Sequence, residues 1–183
     1  MLVFRFHGHC WRILAAAFMF AVAIQAVPPA VAEALPEPMD EVILTVSGRI
    51  THGNGRTADG QNEARFDRAM LLRLGITEFE TETPWHSGQV RFEGVLIRRL
   101  LAAVGAQGRS LYARAHNDYS VELPVDDVER YDVILALRAN GRDLRLRDKG
   151  PVFIIYPYST DIALRSDMIY SRSVWQLRRL EVR

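Results

Sequence analysis

The start of the chain combines a charged segment with a long apolar run. The run covers residues 13–27, interrupted only by Gln25, and Ala30 and Ala32 place small residues at both positions that a signal peptidase reads. This is the pattern of a secretory signal peptide. We therefore expect cleavage after Ala32, which removes residues 1–32 and gives a periplasmic or secreted protein.

An uncleaved membrane anchor is the alternative interpretation of this segment. The apolar run is close to the shortest length that spans a bilayer. After residue 40, charged residues interrupt every hydrophobic stretch, so no later membrane span is predicted. We expect a flexible segment over residues 33–41 and a single domain over residues 42–183.

After residue 41 the chain alternates short apolar runs with polar turns. Apolar residues at helical spacing predict two modest helices, over residues 68–74 with Asp67 as the N-cap and over residues 95–104. Asn140-Gly141 is the strongest local signal for a tight hairpin turn. β-Branched and alternating runs predict strands over residues 42–46, 76–83, 111–115, 120–123, 133–138, 142–146, 152–156 and 174–182. The absence of repeated strand–helix alternation predicts an α+β domain, mainly a curled mixed β-sheet with a few short helices.

Composition and charge narrow the functional classes. The chain has 183 residues, 49% of them hydrophobic and 25% charged, which is typical of a globular domain. Its formal net charge of +1 argues against a nucleic-acid partner, which needs a basic face. The only cysteine, Cys10, lies within the predicted signal peptide. The mature domain is therefore expected to have no disulfide, no zinc–thiolate site and no cysteine nucleophile.

Common catalytic motifs are not visible in the sequence. No Gly-x-Ser-x-Gly elbow occurs, and His52, His86 and His116 are too far apart to share a helix face. We therefore predict no metal site from these histidines. Asp126 and Asp127 follow a Leu-Pro-Val segment, where aspartate is more typical of capping a helical turn than of an acid–base pair.

Five local strings occur in a definite order along the chain. They are Thr83-Pro84-Trp85, FEGVLIRRLL at residues 92–101, His116-Asn117-Asp118-Tyr119, DKGPVFIIYP at residues 148–157 and SRSVWQL at residues 171–177. Together they resemble the sulfite-oxidase-type molybdopterin-binding domain, and most closely its short exported members. The resemblance extends from about residue 42 to residue 182, and it implies both the fold of that family and molybdopterin as a cofactor.

The resemblance also implies how a metal would be held. Enzymes of this family hold molybdenum through a pterin dithiolene and one cysteine thiolate, a few residues before an aromatic residue like Trp85. The corresponding residue here is Thr81. A neutral hydroxyl is a poor substitute for a soft thiolate ligand. The resemblance thus implies a retained pterin or ligand pocket without molybdenum.

The first functional hypothesis is an exported binding module for a pterin, an anionic metabolite or a partner protein. Aromatic residues offer flat walls, asparagine offers a donor and an acceptor, and arginine suits phosphate or carboxylate. The candidate binding residues are Thr81, Trp85, Asn117, Asp118, Tyr119, Tyr156 and Arg172. Purely structural roles are the alternative: Trp85, Tyr156 and Trp175 as core residues, and Asn117-Asp118 as a turn.

The second functional hypothesis is a molybdenum cofactor-dependent periplasmic oxidoreductase. In that case the dithiolene, with oxo ligands or Thr81, would hold the metal without a thiolate. A third hypothesis is that the domain reports ligand occupancy to a membrane sensor or works with a redox partner protein. The residues leave the identity of the ligand, the partner and the oligomeric state open.

Overall fold

The computed structural model describes residues 35–183. The predicted signal peptide and its cleavage site after Ala32 lie outside the described residues. Residues 35–43 contain no helix or strand. Within residues 35–183, no helix is long and apolar enough to cross a membrane.

Short strands dominate the described part of the chain. The strands are β1 (Leu44–Gly48), β2 (Gly55–Arg56), β3 (Asn62–Phe66), β4 (Thr77–Glu82), β5 (Gln89–Leu96), β6 (Ser110–Ala115), β7 (Ser120–Pro124), β8 (Ile134–Ala139), β9 (Arg142–Asp143), β10 (Phe153–Ile155) and β11 (Leu177–Val182). The α-helices are α1 (Arg68–Arg73), α2 (Ile97–Ala103), α3 (Val125–Arg130) and α4 (Asp167–Ser171). Two 3-10 turns cover Leu146–Asp148 and Ile162–Leu164.

The strands form two sheets. One has the order β2-β3-β1-β11-β6-β7, in which β1 and β11 pair in parallel and the other pairs are antiparallel. The other has the order β10-β8-β5-β4, all antiparallel, and β9 also pairs with β8. The predicted α+β class with mixed strand pairing is confirmed, although two sheets take the place of one curled sheet.

Strand β10 is buried on both faces. Ile154 belongs to the core cluster that also contains Leu44 of the six-stranded sheet. Phe153 and Ile155 point into a second cluster, which contains Phe92. Because successive side chains of a strand face opposite sides, one three-residue strand contributes to both cores.

The second predicted helix begins two residues later than its apolar spacing indicates. Val95 and Leu96 belong to β5 and pair with β8. The strand bulges at Gly94, where an added Cβ would lie 2.0 Å from the backbone oxygen of Leu135. Strand pairing at this close approach therefore overrides the helical pattern, and α2 starts only at Ile97.

Two other predicted boundaries also differ. The hairpin turn at Asn140-Gly141 is confirmed, with φ of 48° and 72° as the tight turn requires, but its second strand is only two residues long. The last strand begins at Leu177 and not at residue 174. Gln176 has a φ of 53°, and its backbone N–H donates to the oxygen of Lys149, which interrupts the extended run.

Helix α1 begins as the sequence predicts. The buried carboxylate of Asp67 accepts hydrogen bonds from the backbone N–H of Met70 at 2.7 Å and from that of Met39 at 2.8 Å. Burial by itself raises the pKa of Asp67. The hydrogen bonds from the backbone N–H groups of Met70, Met39 and Asp40 together have a larger, opposite effect, so the pKa lies below its ordinary value. The carboxylate therefore caps the helix and also fixes the segment that precedes β1.

Asp67→Ala is expected to lower the free energy of unfolding by about 2 kcal/mol at neutral pH, because it removes a helix cap and leaves backbone donors unpaired. Urea unfolding measures this loss. Because the folded-state pKa is depressed, the stabilisation exists above the unfolded pKa of about 3.9 and disappears as the pH falls through the folded value. The difference between wild type and variant should therefore shrink in acid.

The matched control is Asp59→Ala. Asp59 lies in an exposed loop and accepts a bond from the Thr57 hydroxyl two residues away. Its removal is expected to change stability far less than the removal of Asp67. Equal losses for both variants would contradict the role given to Asp67.

Candidate functional site

Three chain segments enclose a cavity of about 310 Å³. They are the connection between β4 and β5, the turn between β6 and β7, and the segment from α4 to β11. The lining residues are Trp85, Asn117, Tyr119, Tyr170, Ser171, Ser173 and Trp175. All seven side chains are uncharged, so the cavity offers aromatic faces together with amide and hydroxyl groups.

Trp85 is the centre of the aromatic wall. Its ring meets four others edge to face, with centroid distances of 5.8 Å to Phe153, 6.4 Å to Tyr158, 6.1 Å to Tyr170 and 5.7 Å to Trp175. Such contacts stabilise aromatic pairs beyond the area they bury. Trp85 is half-buried and packs against both core clusters. It is therefore a core residue and a cavity residue at once.

The turn between β6 and β7 forms one side of the cavity. Asp118 takes a φ of 64°, and the side-chain oxygen of Asn117 accepts a bond from the backbone N–H of Tyr119 at 3.2 Å. The hydroxyl of Tyr119 donates to the backbone oxygen of Ser171 at 2.7 Å. The turn predicted at Asn117-Asp118 thus places Asn117 and Tyr119 on the cavity, while Asp118 is exposed at its tip.

Arg172 takes part in a partly buried polar network behind the cavity wall. Its Nη1 donates to Asp127 Oδ2 at 2.6 Å, and only 17% and 15% of the two side chains is exposed. The hydroxyl of Tyr156 donates to the same carboxylate oxygen at 2.9 Å. Burial, and then the negative charge of Asp127, raise the pKa of Tyr156 well above its ordinary value. Tyr156 therefore remains a protonated donor.

The predicted capping role of the Asp126-Asp127 pair is wrong. The N-cap of α3 is Pro124, which makes no side-chain cap bond, and both aspartates lie in the first turn of the helix. Asp127 binds Tyr156 and Arg172 instead, because β10 and α4 converge on this turn. The role of Asp127 depends on Tyr156 and Arg172, which lie 29 and 45 residues away in the sequence. The local sequence therefore does not reveal it.

Thr81 lies outside the cavity. It is fully buried on β4, and its Oγ1 accepts from the backbone N–H of Ser159 at 3.0 Å. The same oxygen lies 3.2 Å from the hydroxyl oxygen of Ser159 and donates to the backbone oxygen of Glu82 at 3.3 Å. These contacts saturate the hydroxyl and tie β4 to the loop after β10.

The structure thus divides the seven predicted binding residues. Trp85, Asn117 and Tyr119 come together on the cavity, and Asp118 lies in the turn between two of them. The side chains of Thr81, Tyr156 and Arg172 are engaged in hydrogen bonds away from the lining.

Sequence reasoning assigned no binding role to four lining residues, which are Tyr170, Ser171, Ser173 and Trp175. A signal existed for three of them, since Ser171, Ser173 and Trp175 belong to the SRSVWQL string that contributes to the family resemblance. Ser173 is buried, and its hydroxyl bonds the hydroxyl of Tyr158, whose pKa burial raises. Tyr170 carries no comparable local signal.

A family model described as the oxidoreductase molybdopterin binding domain matches residues 62–163, more than half of the chain. The chain belongs to this family. The predicted resemblance and fold class are confirmed. No curated protein matches the chain. The match to the molybdopterin-binding family includes Trp85, Asn117 and Tyr119, whereas the wall from α4 to β11 lies beyond the matched range.

The cavity fits the pterin of this family better than it fits a thiolate-held metal. Its aromatic rings and amide suit a flat heterocycle with polar edges. Residues 35–183 contain no cysteine, and within them no three His, Cys, Asp or Glu side chains are placed to hold a metal ion. The Thr81 hydroxyl is buried and already hydrogen-bonded, so it offers no free donor.

Asp127→Asn is expected to lower the free energy of unfolding by about 2 kcal/mol. The variant leaves the Arg172 guanidinium without its carboxylate. The expected loss is smaller than the range of about 3–5 kcal/mol for fully buried pairs, since both side chains retain some exposure. Chemical denaturation measures this loss of stability.

The control is Asp126→Asn, an exposed neighbour in the same helical turn, which should change stability far less. Equal losses of unfolding free energy for Asp127→Asn and Asp126→Asn would contradict the stabilising role of the network.

Proposed function

We propose that this protein is an exported ligand-binding domain of the molybdopterin-binding type, which binds a pterin or a similar flat heterocycle without a metal-ligating cysteine. The observation that carries the proposal is an aromatic cavity in a family member whose residues 33–183 contain no thiol. The family binds molybdopterin, which supports the pterin as the ligand class.

The cavity chemistry supports a planar ligand. The rings of Trp85, Tyr170 and Trp175 offer apolar faces on which a heterocycle can stack. Asn117 supplies a donor and an acceptor, and Ser171 supplies a hydroxyl, for the polar edge of that heterocycle. None of these contacts requires a metal or a thiolate.

The donor set argues against molybdenum as a resident metal. Cys10 is the only cysteine of the chain and lies in the predicted signal peptide. Thr81, which corresponds to the ligating cysteine by resemblance, is buried and hydrogen-bonded to Ser159. A neutral hydroxyl is moreover a weak donor for a metal that the family holds through soft sulfur ligands.

A molybdenum cofactor-dependent periplasmic oxidoreductase is the second candidate function. Membership of an oxidoreductase family favours it. In that case the pterin dithiolene would hold the metal without a protein thiolate. The two functions share the ligand class and differ in whether the metal is present.

Export is also part of the proposal. A charged start, an apolar run and small residues at 30 and 32 support cleavage after Ala32. An exported binding domain would act on a membrane sensor or a redox partner protein, which its ligand occupancy would regulate.

N-terminal sequencing of the exported protein is expected to give Glu33 as the first residue, because Ala30 and Ala32 frame the cut. Periplasmic and membrane fractions should be compared in the same preparation. Intact Met1 material confined to the membrane fraction would favour the uncleaved anchor instead.

Protein purified from a host that makes molybdopterin is expected to contain well under one molybdenum per chain while releasing a pterin fluorophore on denaturation. Elemental analysis and fluorescence of the same sample measure both quantities. Near-stoichiometric molybdenum with turnover of a sulfoxide or sulfite would establish the oxidoreductase. Absence of both metal and pterin would restrict the proposal to another flat ligand.

Matched variants test whether the aromatic cavity holds the pterin. Trp175→Ala removes a stacking face and is expected to reduce pterin affinity about five- to 140-fold, since an aromatic–heterocycle stack contributes about 1–3 kcal/mol. Tyr112→Phe, which removes a hydroxyl outside the cavity, is the control and should leave the affinity unchanged. Equal pterin affinities of the two variants would place the ligand elsewhere.

A further inference from the structure

The outer face of the six-stranded sheet places two arginines directly opposite each other. Arg114 of β6 and Arg179 of β11 are partners in the antiparallel register, and both are exposed. Like charges at such positions destabilise a sheet. Within residues 35–183, no ion pair involves either side chain. A negatively charged ligand would offset the repulsion between them.

The two arginines border a small polar cavity. It has a volume of about 210 Å³ and is lined by Ser47, Tyr112, Arg114, Arg179, Glu181 and Arg183. Three arginines and one glutamate give the side chains of this lining an excess of two positive charges. None of its residues lines the aromatic cavity.

The one carboxylate of the lining is already engaged. Both oxygens of Glu181 face Arg183, at 2.9 Å from its Nε and 3.1 Å from its Nη2. The Arg183 guanidinium also lies 4.0 Å from the ring centroid of Tyr112, which holds it over the cavity wall. Glu181 therefore does not neutralise Arg114 or Arg179.

Tyr112 adds a polar group beside the arginines. Its hydroxyl donates to the hydroxyl of Ser120 at 2.8 Å. The Ser120 hydroxyl, which can turn to donate to the phenolate, followed by the neighbouring Arg114, lowers the pKa of Tyr112 below its ordinary value. Tyr112 and Arg114 both line this cavity.

We propose that Arg114, Arg179 and Arg183 form a binding site for a phosphate-type oxyanion on this face of the sheet. A phosphate group at neutral pH carries about 1.5 to 2 negative charges, which matches the excess charge of the lining. Guanidinium groups bind phosphate oxygens through paired, charge-assisted hydrogen bonds. The hydroxyl of Ser47 supplies one further donor to the bound oxyanion.

Isothermal titration of the full chain with inorganic phosphate tests the site. Arg114→Gln and Arg179→Gln are each expected to weaken phosphate binding about tenfold, as the loss of one charge-assisted contact predicts. Arg178→Gln removes an exposed arginine of the same strand that does not line the cavity, and its affinity should remain within about twofold of wild type. Absence of saturable binding, or equal weakening by all three variants, would overturn the proposal.

Thermal stability gives an independent readout. In phosphate-free buffer of low ionic strength, Arg179→Gln should leave the melting temperature unchanged or raise it, because it relieves repulsion with Arg114. The same variant should lose the rise in melting temperature that phosphate produces in wild type. A variant that melts lower without phosphate, yet retains the full phosphate-induced rise, would show that Arg179 has only a structural role.

A second ligand distinguishes the sources of the phosphate. Tighter binding of phenyl phosphate than of inorganic phosphate would support an organic phosphate, and equal affinities would support the free ion. Chloride at the same ionic strength should compete weakly, whereas equal competition by chloride would reduce the effect to charge screening and overturn the site.

Discussion

The fold depends on strand β10, because this short strand is buried on both faces and the residues that follow it fix three other segments. Tyr156 donates to the first turn of α3. Tyr158 bonds Ser173 on the cavity, and the backbone N–H of Ser159 donates to Thr81 of β4. Hydrophobic burial thus fixes the position of β10. Hydrogen bonds from the residues that follow β10 then fix the positions of α3, Ser173 and β4.

Local sequence signals predicted the elements that local contacts stabilise. Asp67 caps α1 with a bond to Met70, three residues away, and the turn at Asn140-Gly141 takes the positive φ angles that this dipeptide favours. The signals failed where a distant partner decides the structure. Leu96 fits a helical pattern, yet β8 pairs with it as part of a strand.

The candidate site shows the same division between local and distant contacts. Trp85, Asn117 and Tyr119 belong to strings that the family resemblance identifies, and they lie together on one cavity. Tyr170 lacked such a signal, because its role follows from packing against a ring 85 positions earlier in the chain. Thr81 shows the converse, since the family resemblance indicates a functional position while its hydroxyl serves the scaffold.

The aromatic cavity and the cavity lined by Arg114, Arg179 and Arg183 differ in charge. The aromatic lining contains no charged side chain, and the nearby Arg172 is neutralised by Asp127. The lining itself therefore supplies no opposite charge to offset the hydration that an anion would lose. An uncharged heterocycle loses less, because its ring stacks and its edges find the amide of Asn117. The anionic metabolite that sequence reasoning left open therefore suits the face with Arg114 and Arg179, whose guanidinium groups are not offset by a carboxylate of the described chain.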